Sequence, residues 1–340
     1  MTRLAILGAT GAVGTTLLRV LEERDFPLDE LRLLASERSA GTSRPYAGRE
    51  IPIQAVGPQS FDGIDIAIFS AGATRSREWA PQAIAAGAVV VDNSSAFRMD
   101  DGVPLVVADV NPHAARAHSG LISNPNCSTM QLMPVLAALH RRSPLDHVTV
   151  ATYQSVSGTG QKAVEALCNQ SAAVLVGDEP TVEVYPHRIA FNVLRAGAPA
   201  GDDDYTDEEL KLVNESRKIL ELPELRVSVT CMRVPVLNSH SEAVWVRTRE
   251  PIGPDEAREL LAAEPGITVI DDPEADLYPM AIDADGQDGV LVGRIRRDLG
   301  DPNALALWVV ADNLRKGAAT NAVEIAQLLV RDRLLRSAAA

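Results

Sequence analysis

The apolar positions of this chain change their period near residue 146. Before that point, short and almost continuous apolar runs alternate with helical spacings. "RLAIL" (3–7), "LRLLA" (31–35) and "IDIAIF" (64–69) read as strands, with a shorter one near Ile51–Ala55. Between the first two, the stretch from Gly11 to Arg24 gathers Val13, Leu17, Leu18, Val20 and Leu21 on one helix face. A helix over Ser76–Ala86 leads into "AVVVDNS", a strand that ends in a turn. Strands that are apolar at nearly every position are buried on both faces, so this rhythm predicts a parallel sheet between two helical layers.

Beyond residue 146, alternation of period two takes over. "HVTVATYQSV", "LRVSVTCMRVPV", "EAVWVRT" and "LALWVVAD" (305–312) are long strand runs. Two helices, "TDEELKLVNESRKIL" and "PDEARELLAAE", lie among them. The first follows the acidic loop "AGDDDY" through a capping box of Thr206 and Glu209. These runs predict an α+β domain built on a large, mostly antiparallel sheet. A final amphipathic helix, Ala318–Leu335, is long enough to return to the first domain. With 340 residues, two domains are expected, one of residues 1–126 plus 314–340 and one of residues 127–313.

Composition narrows the function classes. Apolar residues make up 46% and charged residues 23%, as in ordinary globular proteins. A net charge of −14 argues against a nucleic-acid surface and against anionic membranes. Any phosphate-bearing ligand must then be captured by local groups. No apolar run reaches the length of a membrane span, and no basic segment precedes "LAIL", so neither an anchor nor a secretory signal is expected. Cys127, Cys168 and Cys231 lie far apart, which speaks against a disulfide framework or a cysteine zinc site and for a reducing, cytoplasmic setting. The six histidines form no i, i+4 ligand pair, so no metal is expected.

"LAILGATGAVGTTLL" is strand, glycine turn and helix in the order that a dinucleotide site requires. Gly8, Gly11 and Gly14 give G-x-x-G-x-x-G, a departure from the commoner fingerprint that keeps its mechanism: a tight turn, close backbone approach and a helix N-terminus facing a pyrophosphate. At the end of the second strand, "SERSAG" offers Ser36, Arg38 and Ser39, suited to a 2′-phosphate, with Glu37 as the dissenting residue. NADP is therefore expected over NAD.

"SNPNCSTMQLMP" puts Cys127 where a helix begins. Ser128 and Thr129 are helix-start residues, and Met130, Met133, Leu136, Ala137 and Leu139 follow at helical spacing, ending before Arg141. A thiol at a helix N-terminus is favoured as thiolate. A buried structural cysteine is the other reading, and the residues alone leave both open. Arg98 in "SSAFRM" follows a strand. Gln154 precedes a Ser/Gly-rich turn, Glu208 and Lys211 share a helix face, and Arg233 and His240 lie seven apart, on a strand and on the turn entering the next. Taken singly, each also reads as a solvated side chain or surface ion pair.

Together, "GATGAVG", "SERSAG", "SSAFRM", "NPNCST", "YQSVSGTG", "ELKLVNE", "RVPVLNSHSE" and "DNLRKGAATNAVEIA" resemble the aspartate-β-semialdehyde dehydrogenase family along nearly the whole chain. The resemblance implies an α/β fold: an N-terminal Rossmann-like doubly wound parallel sheet plus a C-terminal α+β catalytic and dimerisation domain with a large mixed sheet. It also implies NADPH-dependent reduction of L-4-aspartyl phosphate to L-aspartate 4-semialdehyde through a cysteine thioester, in lysine, methionine, threonine and diaminopimelate biosynthesis. Cys127 would be the nucleophile and His240 the acid/base that takes the thiol proton. Gln154 would orient the substrate, Arg233 would clamp its α-carboxylate and Glu208 would meet its amino group. Arg98 and Lys211 would hold phosphate, with Asn126 beside them. Gly8, Thr10, Gly11, Ala12, Val13, Ser36, Arg38, Ser39, Ser157, Gly158 and Asn313 would contact NADP. A homodimer is implied. The rival enzyme is N-acetyl-γ-glutamyl-phosphate reductase, whose acetylated substrate has no cation for Glu208; a non-catalytic NADP-binding protein of the same fold is the alternative from another class.

Overall fold

A computed structural model describes residues 2–200 and 203–335, so Gly201 and Asp202 of the acidic loop lie outside the described residues. The chain forms two compact units, Met1–Asn126 with Ala318–Ala340, and Cys127–Gly317.

The first unit runs β1 (Thr2–Leu7), α1 (Ala12–Glu23), β2 (Leu28–Ala35), β3 (Ser43–Tyr46), β4 (Arg49–Ala55), β5 (Ile66–Phe69), α2 (Ala73–Ala85), β6 (Val89–Asp92) and β7 (Leu121–Ser123). Its strands stand in the order β3-β4-β2-β1-β5-β6-β7. All neighbours are parallel except β3 and β4. Within β1, Leu4 and Ile6 enter one core with Leu17 and Leu21 of α1, while Ala5 and Leu7 enter another with Trp79 of α2. Both faces are covered, and this is why the strand sequences are apolar throughout. Strand order reverses direction at β1, where β2 lies on one side and β5 on the other. The C-terminal ends of strands at such a switch point are where ligands bind.

The second unit comprises α3 (Cys127–Arg142), β8 (Leu145–Gln154), α4 (Gln161–Val176), β9 (Leu194–Arg195), α5 (Asp207–Ile219), β10 (Arg226–Arg233), β11 (His240–Thr248), α6 (Pro254–Ala262), β12 (Ile267–Val269), α7 (Ala281–Ala284), β13 (Val290–Arg297) and β14 (Ala304–Ala311). The sheet order is β12-β13-β14-β11-β8-β10-β9. Only β8–β10 and β12–β13 are parallel pairs, so the sheet is mixed. β13, α4, α7 and the edge strands β3, β7, β9 and β12 went unmarked in the sequence. The chain rejoins the first unit at Ala318 rather than 314. It passes a π-turn over Arg315–Ala319 and then forms α8 (Thr320–Arg331), which packs against α1. This helix is shorter than the expected 318–335: the π-turn takes up Ala318 and Ala319, and the helix ends at Arg331 with Asp332 as its C-cap.

Candidate active site

α3 begins at Cys127 itself. Ser128 and Thr129, expected as helix-start residues, lie buried inside the first turn, and the helix continues through Arg141 and Arg142. The Cys127 Sγ lies 3.3 Å from Nε2 of His240. His240 is the first residue of β11 and has no exposed surface. It is aimed by Ser239, whose φ of 71° is left-handed and uncommon for a residue with a Cβ. That turn is fixed where the Ser239 N–H donates to Asn313 Oδ1 (2.9 Å). Burial, and then the charge of Arg233, hold the His240 imidazole well below its usual pKa, so the ring is neutral near pH 7.

β8 and β10 end together, with Gln154 and Arg233 in register. Both are buried. The Arg233 Nη1 donates to the Ser155 carbonyl (2.7 Å), while its Nε has no partner. Gln154 donates to Ser128 Oγ (2.5 Å) and Glu208 Oε2 (3.3 Å), and its Oε1 is unpartnered. α5 is held against this row by Glu209, which accepts from the Thr206 N–H in its capping box and from the Cys231 N–H (3.0 Å). Glu208 and Lys211 of α5 pair at 2.8 Å, and Asp207 joins at 2.5 Å. Burial alone would lower the Lys211 pKa, but these two carboxylates outweigh it and hold the ammonium above its ordinary value. Gly158 leaves space here that no other residue would. A Cβ would sit 3.0 Å from Arg233 Nη1 and 3.2 Å from the His240 ring.

Ser157 and Asn313, read from the sequence as cofactor contacts, are bonded to each other at 2.9 Å and to the neighbours of His240. Ser155, Ser239 and Asn238 complete that network and were missed. Their hydrogen bonds run to residues distant in sequence, and nothing in local spacing signals them.

The first unit has a cavity of about 730 Å³ at the ends of β1, β2 and β5. Gly8, Thr10, Gly11, Ser36 and Arg38 line it, together with Glu37. Gly8 has a φ of 94°, and a Cβ there would stand 2.3 Å from the Ser70 carbonyl oxygen. Gly14 packs α1 onto the loop, where a Cβ would lie 2.3 Å from the Gly8 oxygen. Ala12, Val13 and Ser39 do not line the cavity: Ala12 and Val13 open α1, with Val13 packed on the core, and Ser39 closes a 3-10 turn. Arg75 does line it and was missed. Its "SAGATR" repeats the strand–glycine–helix order of the first loop. Arg98 is buried in the same unit, donating to the Asn124 and Asn93 carbonyls at 2.9 and 2.8 Å, and Asn126 is buried as well. Cys231, by contrast with Cys127, is a buried thiol that desolvation pushes up to about 12. No group of three or more potential metal ligands occurs among the described residues. No helix among them is long and apolar enough to cross a membrane.

Fold and site thus define a nucleotide-binding enzyme class with a thiol–imidazole pair on a second unit. The family model described as the semialdehyde dehydrogenase NAD binding domain matches residues 3–118, and that described as the semialdehyde dehydrogenase dimerisation domain matches 136–316. An aspartate-semialdehyde dehydrogenase from Aquifex aeolicus is 51% identical over 98% of this chain and 99% of its own. The crystal structure of aspartate semialdehyde dehydrogenase II from Vibrio cholerae, complexed with ASA, has a TM-score of 0.94 at 46% identity, covering 98% of this chain and 99% of that one. A Candida albicans aspartate semialdehyde dehydrogenase with NADP scores 0.76 at 25% identity, covering 98% and 100%. The chain belongs to the aspartate-semialdehyde dehydrogenase family, and its first unit is a nicotinamide-nucleotide domain.

Proposed function

We propose that the chain catalyses the reversible, NADPH-dependent reduction of L-4-aspartyl phosphate to L-aspartate 4-semialdehyde and phosphate through a thioester on Cys127. This step serves lysine, methionine, threonine and diaminopimelate biosynthesis. The observation that carries the reading is the 3.3 Å approach of Cys127 Sγ and His240 Nε2 at a helix N-terminus. The unpartnered Arg233 Nε and Gln154 Oε1 support it, since buried polar atoms call for partners and a polar substrate supplies them.

Cys127 attacks the acyl carbon, and phosphate leaves. Splitting a difficult step in two is what covalent catalysis achieves. Backbone N–H groups at the start of α3 meet the oxyanion, each such donor contributing about 3 kcal/mol. Arg233 takes the α-carboxylate and Gln154 orients the acyl group. Glu208 meets the amino group, and His240 serves as acid/base. Arg98, Asn126 and Lys211 are the groups proposed for phosphate.

The cavity residues fit a dinucleotide. Gly8 and Gly14 keep clear the space that a Cβ would fill, and the first turn of α1 carries no acidic side chain. Ser36 and Arg38, with Arg75, suit a 2′-phosphate, and on this ground NADP is preferred over NAD. When bound, the reduced nicotinamide supplies a hydride to the thioester carbon. Ser157, Gly158 and Asn313 are further residues proposed to hold it.

A homodimer is proposed from the family's dimerisation domain, supported by exposed Leu175, Val176, Phe191 and Ile282 in that unit. A cytoplasmic setting follows from the need for a free Cys127 thiol.

The test is the initial rate of NADPH formation from L-aspartate 4-semialdehyde, with phosphate present and omitted, for wild type and Cys127→Ser. A phosphate-dependent rate that vanishes in the serine variant is expected. A rate indifferent to phosphate would remove the roles of Arg98 and Lys211. No rate, but turnover of N-acetylglutamate semialdehyde, would favour the rival enzyme.

A further inference from the structure

Asn321 is the second residue of α8 and is fully buried, beside Ala319, Ala322 and Val323 of an apolar core. An amide in such a place is costly unless its donors and its acceptor are met. Here they are met. Oδ1 accepts the Ala108 N–H (2.8 Å), and Nδ2 donates to the Val106 carbonyl (2.8 Å) and to Asn124 Oδ1 (2.5 Å). A backbone N–H can only donate and a carbonyl can only accept, so these contacts fix which way round the amide stands. Asn124 takes its orientation from it. With Oδ1 held by Asn321, Asn124 Nδ2 donates to Asn93 Oδ1 (2.5 Å) and to the Ala318 carbonyl (3.1 Å). Three amides therefore form a relay with one direction, from α8 to the loop after β6.

Asn93 and Asn124 are the first residues beyond β6 and β7, which pair in parallel with Asp92 opposite Ser123. Their N–H groups still bond to the sheet, at the Phe69 and Asp92 carbonyls (2.9 and 2.8 Å). Their own carbonyls turn to Arg98 instead, Asn93 accepting from Nη2 (2.8 Å) and Asn124 from Nε (2.9 Å). The two acceptors that aim the guanidinium thus belong to the two residues whose side chains are tied together.

We propose that Asn321, acting through Asn124 and Asn93, is a positioning residue for Arg98 and thereby for the substrate's phosphate. The proposal rests on the phosphate role given to Arg98 above and names what holds that group in place. A guanidinium is planar, so bonds to Nε and Nη2 fix its plane and the direction of its other N–H groups. Without Asn321, Asn124 Oδ1 loses its donor, and only the longer bond to the Ala318 carbonyl opposes a turn of the amide. A turned amide sets its oxygen against Asn93 Oδ1. Two facing oxygens repel, the tie between the loops opens, and the carbonyls behind Arg98 part.

The first experiment follows hydrogen exchange at arginine Nε–H groups by NMR, on protein labelled with 15N-arginine, with Arg98→Lys used for assignment. Asn321→Ala should speed exchange at Arg98 about tenfold or more, as for the loss of a hydrogen bond. Arg217 is the control, because its Nε donates to the Leu225 carbonyl (2.9 Å) in the second unit. Its exchange should stay within about twofold of wild type. Equal acceleration at both groups, or none at Arg98, would overturn the proposal. Where Asn321→Ala does not fold, Asn93→Ala unties the same pair from its half-buried end and is read in the same way.

The second experiment measures KM for phosphate during oxidation of the semialdehyde, in a double-mutant cycle with Arg98→Ala. Asn321→Ala should raise it about tenfold while KM for the semialdehyde stays within about twofold. In the Arg98→Ala background the same substitution should change it by less than about twofold, since the group it acts through is gone. An additive effect makes Asn321 a structural tie, as does a lowered melting temperature with KM for phosphate unchanged, and either result defeats the proposal. The exchange experiment uses no substrate, so it decides the positioning of Arg98 even where a rate indifferent to phosphate has removed that residue's role.

Discussion

The cavity of the first unit and the thiol site of the second are built from different materials. The cavity is framed by main chain, with glycines, a helix N-terminus and strand ends, and side chains such as Ser36, Glu37, Arg38, Arg75 and Trp79 line it. The thiol site is made of side chains held by one another, from Asn313 through Ser155 to His240 and Cys127. A main-chain site is defined by what must be absent, so an added Cβ breaks it. A side-chain site is defined by what must be present, and an altered functional group breaks it while the fold stands. The largest effect should therefore come from Gly8→Ala. The new Cβ meets the Ser70 oxygen at 2.3 Å in a left-handed backbone, which costs about 3 kcal/mol. Thermal melting should show the loss, and NADPH fluorescence titration should show binding weakened by about a hundredfold or more. Near wild-type binding would mean that the loop moves freely and the cavity is not built by its backbone.

Arg233→Lys probes the other material. Lysine keeps the charge but loses the planar fork, and with it the Nη1 bond to the Ser155 carbonyl. Catalytic efficiency toward the semialdehyde should fall about a hundredfold, chiefly through KM, with the melting temperature little changed. A drop in melting temperature with KM intact would make Arg233 a structural tie between β10 and the turn after β8.

Sequence legibility follows the same division. Strands β1, β5 and β6 announce themselves because helices cover both of their faces. "SRPY" of β3 lies at the sheet edge with alternate residues exposed, and so carries no apolar signal. Gly8 and Cys127 can be read as letters in a motif. The Ser155 N–H cannot, because every residue except proline has one, and only the fold turns it toward His240. Glu242 was readable in principle. In β11 it shares the buried face with Val244 and Val246, yet its charge suggests solvent. α3 packs on that face and brings Gln131 against the carboxyl.

A smaller effect should come from Arg38→Ala, which removes the guanidinium proposed for the 2′-phosphate while leaving the glycine loop intact. The ratio of catalytic efficiencies with NADPH and NADH should shift about tenfold toward NADH. No shift would transfer the choice to Ser36 or Arg75. An equal loss with both cofactors would mean that Arg38 shapes the loop instead.

The smallest effect belongs to Glu242→Gln, and here the sign follows from burial. Glu242 has no exposed surface, and desolvation outweighs the neighbouring Gln131 amide and raises its pKa well above the ordinary value. In the unfolded chain it titrates near pH 4.3 or so. The folded state therefore holds a proton that the unfolded state has released between those two values. Its contribution to stability is fully present below about pH 4 and declines as pH rises toward the folded value. Glutamine keeps the shape and has no proton to lose. The variant should melt about 2–4 °C above wild type near pH 8 and level with it near pH 4. Parallel melting curves across that range would show that the carboxyl ionises in the folded protein as it does in the unfolded chain, and the buried acid would then not distinguish this face of the sheet from the apolar cores of the first unit.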